Sequence, residues 1–158
     1  MSARLALLQL AAMLLAGGAA LAGNAAMPAE VAAARGAIRQ ECGGEARFKP
    51  GFQRIADLNG DGRPDYLLDY GEMECVGGDI PNPFCGSAGC TLDIFVSTED
   101  GYRQAYGDIV RAWSLANARG RAVLLLGLHG SVCGRAGFET CRKRLSWDGD
   151  RFVASRAR

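Results

Sequence analysis

Phe52-Gln53-Arg54-Ile55-Ala56, then Asp57-Leu58-Asn59-Gly60-Asp61-Gly62-Arg63-Pro64-Asp65, then Tyr66-Leu67-Leu68-Asp69-Tyr70: this stretch decides the fold class. Runs of aromatic and branched apolar residues on both sides of a polar, glycine-bearing loop read as two strands. Such side chains pack well on a pleated surface, whereas Asp, Asn and Gly accept turn dihedrals. The same grammar continues downstream. Thr91 to Ser97 alternates, with Leu92, Ile94 and Val96 on one side, Thr91, Asp93 and Ser97 on the other, and Phe95 breaking the polar set. Glu99-Asp100-Gly101 marks a turn, and Tyr102 to Tyr106 a further strand. Val110 to Ala116 and Ala122 to Leu128 flank Asn117-Ala118-Arg119-Gly120 as a hairpin, and the apolar run Val123-Leu124-Leu125-Leu126 predicts a central strand. Arg144 to Trp147 and Arg151 to Ala154 flank the turn Asp148-Gly149-Asp150 as a second hairpin. Gly71 to Gly89, with Pro81 and Pro83, reads as a long irregular segment. Upstream, Pro28 suits the first turn of a helix. Ala29 to Gln40 places Val31, Ala34 and Ile38 on one face, and Gly43-Gly44 stops it. The expected fold is mainly β (α+β): an antiparallel meander of about seven or eight strands with one N-terminal helix, stapled by disulfides. No repeat of fixed period is visible, which argues against a full propeller.

The chain has 158 residues, enough for one domain. Its first residues read as a signal peptide, 1–22. Arg4 supplies a positive start, Leu5 to Leu15 is apolar apart from Gln9, and Ala20-Leu21-Ala22 offers a small-x-small cleavage site before Gly23. That apolar core is too short for a spanning helix, which needs about 20 residues. Asn24 stands where a lipidated Cys would follow Leu21-Ala22-Gly23, so no lipid anchor is expected. Residues 23–27 read as a tether and 28–158 as a single domain, exported to the periplasm or secreted, with no transmembrane segment in the mature chain. Met1–Ala22 carries one Arg and no acid, so its removal leaves 17 bases against 17 acids. That balance argues against a nucleic-acid partner, which would need many unpaired Lys and Arg. The charges are segregated. Asp57–Asp79 holds seven acids against Arg63 alone, and Gly130–Arg158 holds seven bases against three acids. The two segments either attract one another in the fold or form a cation site and an anion-facing surface.

Six cysteines lie beyond the leader: Cys42, Cys75, Cys85, Cys90, Cys133 and Cys141. An even count behind an export signal reads as three disulfides, since the compartment is oxidising. Composition leaves about 15 pairings open. Proximity favours Cys85–Cys90 across Gly86-Ser87-Ala88-Gly89 and Cys133–Cys141 across another glycine-containing loop, which leaves Cys42–Cys75. Zinc is disfavoured, because there is no C-x-x-C pair and only one His.

The loop Asp57 to Asp65 carries the chemistry. Asp57, Asn59, Asp61 and Asp65 place side-chain oxygens at positions 1, 3, 5 and 9, and the carbonyl of Arg63 stands at position 7. Calcium is a hard ion that takes six to eight oxygens, so this pattern predicts a Ca2+ site. Gly62 permits the positive φ of the sharp turn. Three carboxylates set −3 against +2. An EF-hand would need a bidentate Glu at position 12, where Leu68 stands, and helical flanks. The segment resembles instead the calcium loop of FG-GAP and VCBS-type repeats, as in integrin α-chains, where Asp-x-Asn/Asp-x-Asp-Gly-x-x-Asp lies between two strands. The resemblance spans about 15 residues in one copy and implies an ion site, without a propeller or a ligand. Cys85-Gly86-Ser87-Ala88-Gly89-Cys90 and the ending Leu145 to Phe152 resemble features of small bacterial periplasmic proteins, which implies location and fold style only.

Other candidates are weaker. His129, the only histidine, sits at a strand end, and Ser131 is close to it in sequence; no G-x-S-x-G elbow is present. Any two of Asp69, Glu72, Glu74 and Glu139 could form a glycosidic carboxylate pair, though no spacing demands it. Trp113 and Trp147 suit sugar stacking or, by their apolar neighbours, core packing. The sequence therefore favours a non-enzymatic, exported calcium-binding module recognising an envelope protein or glycan. The alternative is an inhibitor of a peptidoglycan hydrolase, presenting the Cys85–Cys90 loop and the turn at His129. Carbohydrate hydrolysis is the third reading.

Overall fold

A computed structural model describes residues 26–154. The signal peptide, all of the tether before Ala26, and Arg156 and Arg158 of the basic segment lie outside them. The elements follow in the order α1 (Ala29–Glu41), β1 (Ala46–Phe48), β2 (Gln53–Ala56), β3 (Asp65–Asp69), β4 (Met73–Cys75), β5 (Cys85–Gly86), β6 (Gly89–Thr98), β7 (Gly101–Val110), β8 (Ala112–Ala118), β9 (Arg121–Leu128), β10 (Cys141–Trp147) and β11 (Phe152–Ala154). Short 3-10 turns lie at Tyr70–Glu72 and Gly130–Cys133.

The described residues are mainly β with one α-helix, which precedes the strands, and all paired strands are antiparallel. Among the described residues eleven strands, against the seven or eight expected, form three sheets rather than one meander. β2, β3 and β6 lie side by side, with β7 on the far side of β6 and β5 beside the first residues of β6. A second sheet has the order β11-β10-β9-β8, and β1 pairs with β4 alone. The additional strands are two or three residues long, too short to show a period of two.

Alternation along β3 and β6 explains the layering. Leu67, Leu92, Ile94 and Val96 project to one face and meet Leu124, Leu126, Leu128 and Leu145 of the second sheet. Tyr66, Leu68 and Phe95 project to the other face and meet Val31 and Ile38 of α1, with Phe52, Tyr70 and Met73. Phe95, which spoils the polar side of β6, is thus explained by a helix covering that side. The five-stranded sheet is a middle layer, and its central strands carry apolar side chains on both faces because both are covered, with Asp93 and Ser97 of β6 as buried polar exceptions.

Turn chemistry sets the register. At the β8–β9 hairpin Arg119 and Gly120 have φ of 57° and 80°, the two positive values that a I′-type turn requires. The Asn117 carboxamide accepts from the Gly120 N–H at 2.9 Å. β7 passes into β8 through a bend at the single residue Arg111, whose N–H donates to Gly127 O. One continuous segment thereby leaves the first sheet and enters the second. The disulfides are Cys42–Cys75, Cys85–Cys90 and Cys133–Cys141, with Cα separations of 5.1, 4.1 and 6.0 Å. The first ties the C-cap of α1 to β4, the second crosses the β5–β6 hairpin, and the third closes the loop between the turn at His129 and β10.

Candidate functional site

The loop between β2 and β3 is held by its own polar side chains. Asp57 accepts from the N–H groups of Gly60 at 2.7 Å and Gly62 at 2.9 Å. Asn59 Oδ1 accepts from Asp61 N, and Asp61 Oδ1 from Arg63 N. Gly62 has φ of 80°, and Gly60, which the sequence did not single out, has 84°. Each short oxygen side chain closes a turn on the backbone two or more residues ahead.

Asp65 is placed differently from its loop companions. Its side chain is fully buried beneath the loop. Oδ2 accepts from Leu58 N at 2.7 Å and Asn59 N at 3.1 Å, and Oδ1 accepts from Ser97 N at 2.7 Å. The carboxylate thus fastens the loop to β6. Ser97 is the residue that reading the loop alone misses. It faces the polar side of β6, and that alternation is the only signal for it. Its hydroxyl stands 2.6 Å from Asp61 Oδ2 and 3.0 Å from Asp65 Oδ1. A hydroxyl has one proton. Given to Asp61, whose carboxyl it holds below the usual carboxylate range, that proton leaves the approach to Asp65 as oxygen against oxygen. The Asn59 amide donates to the same hydroxyl at 3.2 Å and to Asp61 Oδ2 at 3.3 Å, so two carboxylates and an amide meet about one serine.

The donors fit calcium in kind: three carboxylates, the Asn59 amide and the Arg63 carbonyl are all hard oxygens. They do not converge as folded. Among the described residues no three His, Cys, Asp or Glu side chains gather on one point. The reason lies in the hydrogen bonds: Asp57 is engaged by glycine amides and Asp65 by the amides beneath the loop.

The remaining candidates separate. Glu74 is ion-paired with Arg47 at 2.6 Å. Glu139 lies exposed in the Cys133–Cys141 loop. Trp147 stacks edge-on with Phe152, centroids 5.2 Å apart, beneath the Arg103 guanidinium at 5.3 Å. Asp69 and Glu72, by contrast, line a cleft together with Trp113. Trp113 is half-buried and donates its indole N–H to Asp69 Oδ2 at 2.7 Å, a polar role that core packing alone does not describe. His129 Nδ1 lies 2.7 Å from Ser131 Oγ. The ring packs on Gly137, where a Cβ would come within 2.6 Å. Among the described residues no acid hydrogen-bonds its other nitrogen.

The Arg111 guanidinium donates to Ser87 O and to Phe138 O, each at 3.2 Å. One side chain thus joins the Cys85–Cys90 loop to the Cys133–Cys141 loop, where Phe138 is 83% exposed. The acidic and basic segments make no ion pair with each other among the described residues, whose ion pairs are Arg47–Glu74, Arg103–Asp150 and Arg151–Asp148. No described helix is long and apolar enough to cross a membrane. No protein-family model, curated protein or solved structure matches the chain.

Proposed function

We propose that this chain is an exported, non-enzymatic calcium-binding module that recognises another component of the cell envelope. Asp57, Asn59, Asp61, Asp65 and the carbonyl of Arg63 would hold the ion. The observation that carries the reading is the crowding of Asp61 and Asp65 about the Ser97 hydroxyl. Carboxylate oxygens gathered on one short polar side chain are hard donors of the kind a divalent cation such as calcium takes. The ion's role is structural, stiffening the β2–β3 connection from which the loop is built.

A ligand bound only by the folded state raises stability by mass action, about 2.7 kcal/mol at a hundredfold excess over Kd. Extracellular calcium modules have Kd of about 10⁻⁴ to 10⁻³ M. Adding calcium to chelator-treated protein is therefore expected to raise Tm by several degrees, and Asp61→Ala to abolish the rise. An unchanged Tm in both proteins would remove the calcium reading.

A second reading, inhibition of a peptidoglycan hydrolase, is favoured by one observation: Arg111 holds both disulfide loops together beside the exposed Phe138. A rigid loop bearing an aromatic residue binds with little ordering cost. Under this reading the protein slows muramidase-driven clearing of a cell-wall suspension, and Phe138→Ala loses the protection. Clearing at the uninhibited rate with wild-type protein would dismiss it.

A further inference from the structure

The mouth of the space between the two larger sheets has the makings of a ligand site. Asp69 belongs to the same face of β3 as Leu67, and Trp113, opposite Leu126 in the β8–β9 register, belongs to the facing sheet. Their 2.7 Å hydrogen bond crosses the gap where the apolar core ends. Beyond it opens a cleft of about 670 Å³ between β2 and β8, the edge strands of their sheets. That volume is in the range of small-molecule sites, roughly 300 to 1,000 Å³.

We propose that this cleft binds a neutral or zwitterionic saccharide, with the Trp113 indole as a stacking platform and Asp69, Glu72 and Arg54 as partners for its hydroxyl groups. The lining brings together an indole, two carboxylates and two guanidinium groups, Arg54 and Arg111. None of the four charged groups belongs to an ion pair among the described residues. Opposite charges spread over one cleft disfavour both a simple anion and a simple cation. Planar carboxylates and guanidinium groups suit adjacent hydroxyls through paired hydrogen bonds, and an apolar sugar face packs on an indole.

The groups are also held in place. Asp69 is fixed by Trp113 and by the Gly71 N–H at 2.9 Å. Glu72 lies over Gly51, where a Cβ would come within 2.9 Å of its Cγ. Arg111 is anchored by the two loop carbonyls. Gly51, Gly71 and Gly89 contribute wall without side chains.

The inference deepens the recognition half of the proposed function and is independent of the calcium half. The chain has two tryptophans, so in a Trp147→Phe background the fluorescence reports on Trp113 alone. This protein is titrated with the tetramer of β-1,4-linked N-acetylglucosamine, with maltotetraose and with a peptidoglycan stem peptide, each with calcium present and with calcium chelated. The expected result is a saturable change with one of the saccharides, weakened about tenfold or more by Arg54→Ala, because a charge-assisted hydrogen bond is lost. Arg54 is exposed and outside the core, so its loss leaves the fold intact. A flat titration with both saccharides, saccharide affinity unchanged in Arg54→Ala, or saturation by the stem peptide alone would each overturn the proposal. Failure of calcium to raise Tm would sink the metal reading and leave a saturable saccharide titration standing, and the converse holds equally.

Discussion

Asp65→Ala is expected to destabilise the domain by about 3–5 kcal/mol, with calcium chelated as well as present. The carboxylate is fully buried and receives the N–H groups of Leu58, Asn59 and Ser97. Removing it strands those donors, and each buried donor left unpaired costs about 1–3 kcal/mol. Domains of this size are stable by roughly 5–15 kcal/mol in total, so the loss is a large fraction of the whole. Asp61→Ala supplies the contrast. Asp61 is exposed, and when it is gone the Ser97 hydroxyl can turn its proton to Asp65 Oδ1, 3.0 Å away, so its loss should be felt mainly in the calcium response. Urea unfolding of both variants in chelator checks the difference. Equal midpoints would mean that Asp65 contributes no more to the metal-free fold than a surface loop residue does.

Phe52→Ala should cost a similar amount, about 3–5 kcal/mol, through a different mechanism: lost transfer energy together with the cavity left behind. Phe52 is 1% exposed and lies in the layer between α1 and the middle sheet. Its ring sits 4.4 Å from Phe48 and 6.0 Å from Tyr70, centroid to centroid, and the Arg35 guanidinium of α1 lies 5.3 Å away. The Cys42–Cys75 disulfide still tethers α1 in the variant, so the helix cannot simply depart, and the cavity persists beneath it. Urea unfolding checks the magnitude. Far-ultraviolet circular dichroism of the folded variant should retain the helical signal. A midpoint within error of the wild type would show that the helix packs without this ring.

Several features were legible because they are local. Pro28 and the apolar positions of Ala29–Glu41 specify one helix, and Val31 and Ile38 are its buried residues. The β8–β9 and β10–β11 hairpins follow from Asn117 to Gly120 and Asp148 to Asp150, where turn residues interrupt apolar alternation. The disulfide pairings followed from closeness along the chain for Cys85–Cys90 and Cys133–Cys141, and elimination left the third. In the candidate site, the oxygen phasing of Asp57, Asn59 and Asp61 and the positive φ at Gly62 are properties of nine consecutive residues.

The rest depended on residues far apart in sequence. Ser97 is 32 residues from Asp65, and no loop pattern shows that β6 would deliver its hydroxyl to the acids. Trp113 and Asp69 are 44 residues apart and lie on different sheets, so their hydrogen bond and the cleft beside it arise only when the sheets stack. Short strands such as β1 and β4 exist only because each has the other to pair with. Sequence alone determined where the chain turns, which faces are apolar and which loop positions carry oxygen side chains, since backbone sterics and local hydrogen bonds act over a few residues. Tertiary structure decided that β3 and β6 would be covered on both faces, that Asp65 would turn inward, and that a cleft would open beside Trp113. Burial and long-range pairing are set by what packs against each residue, and that partner lies elsewhere in the chain.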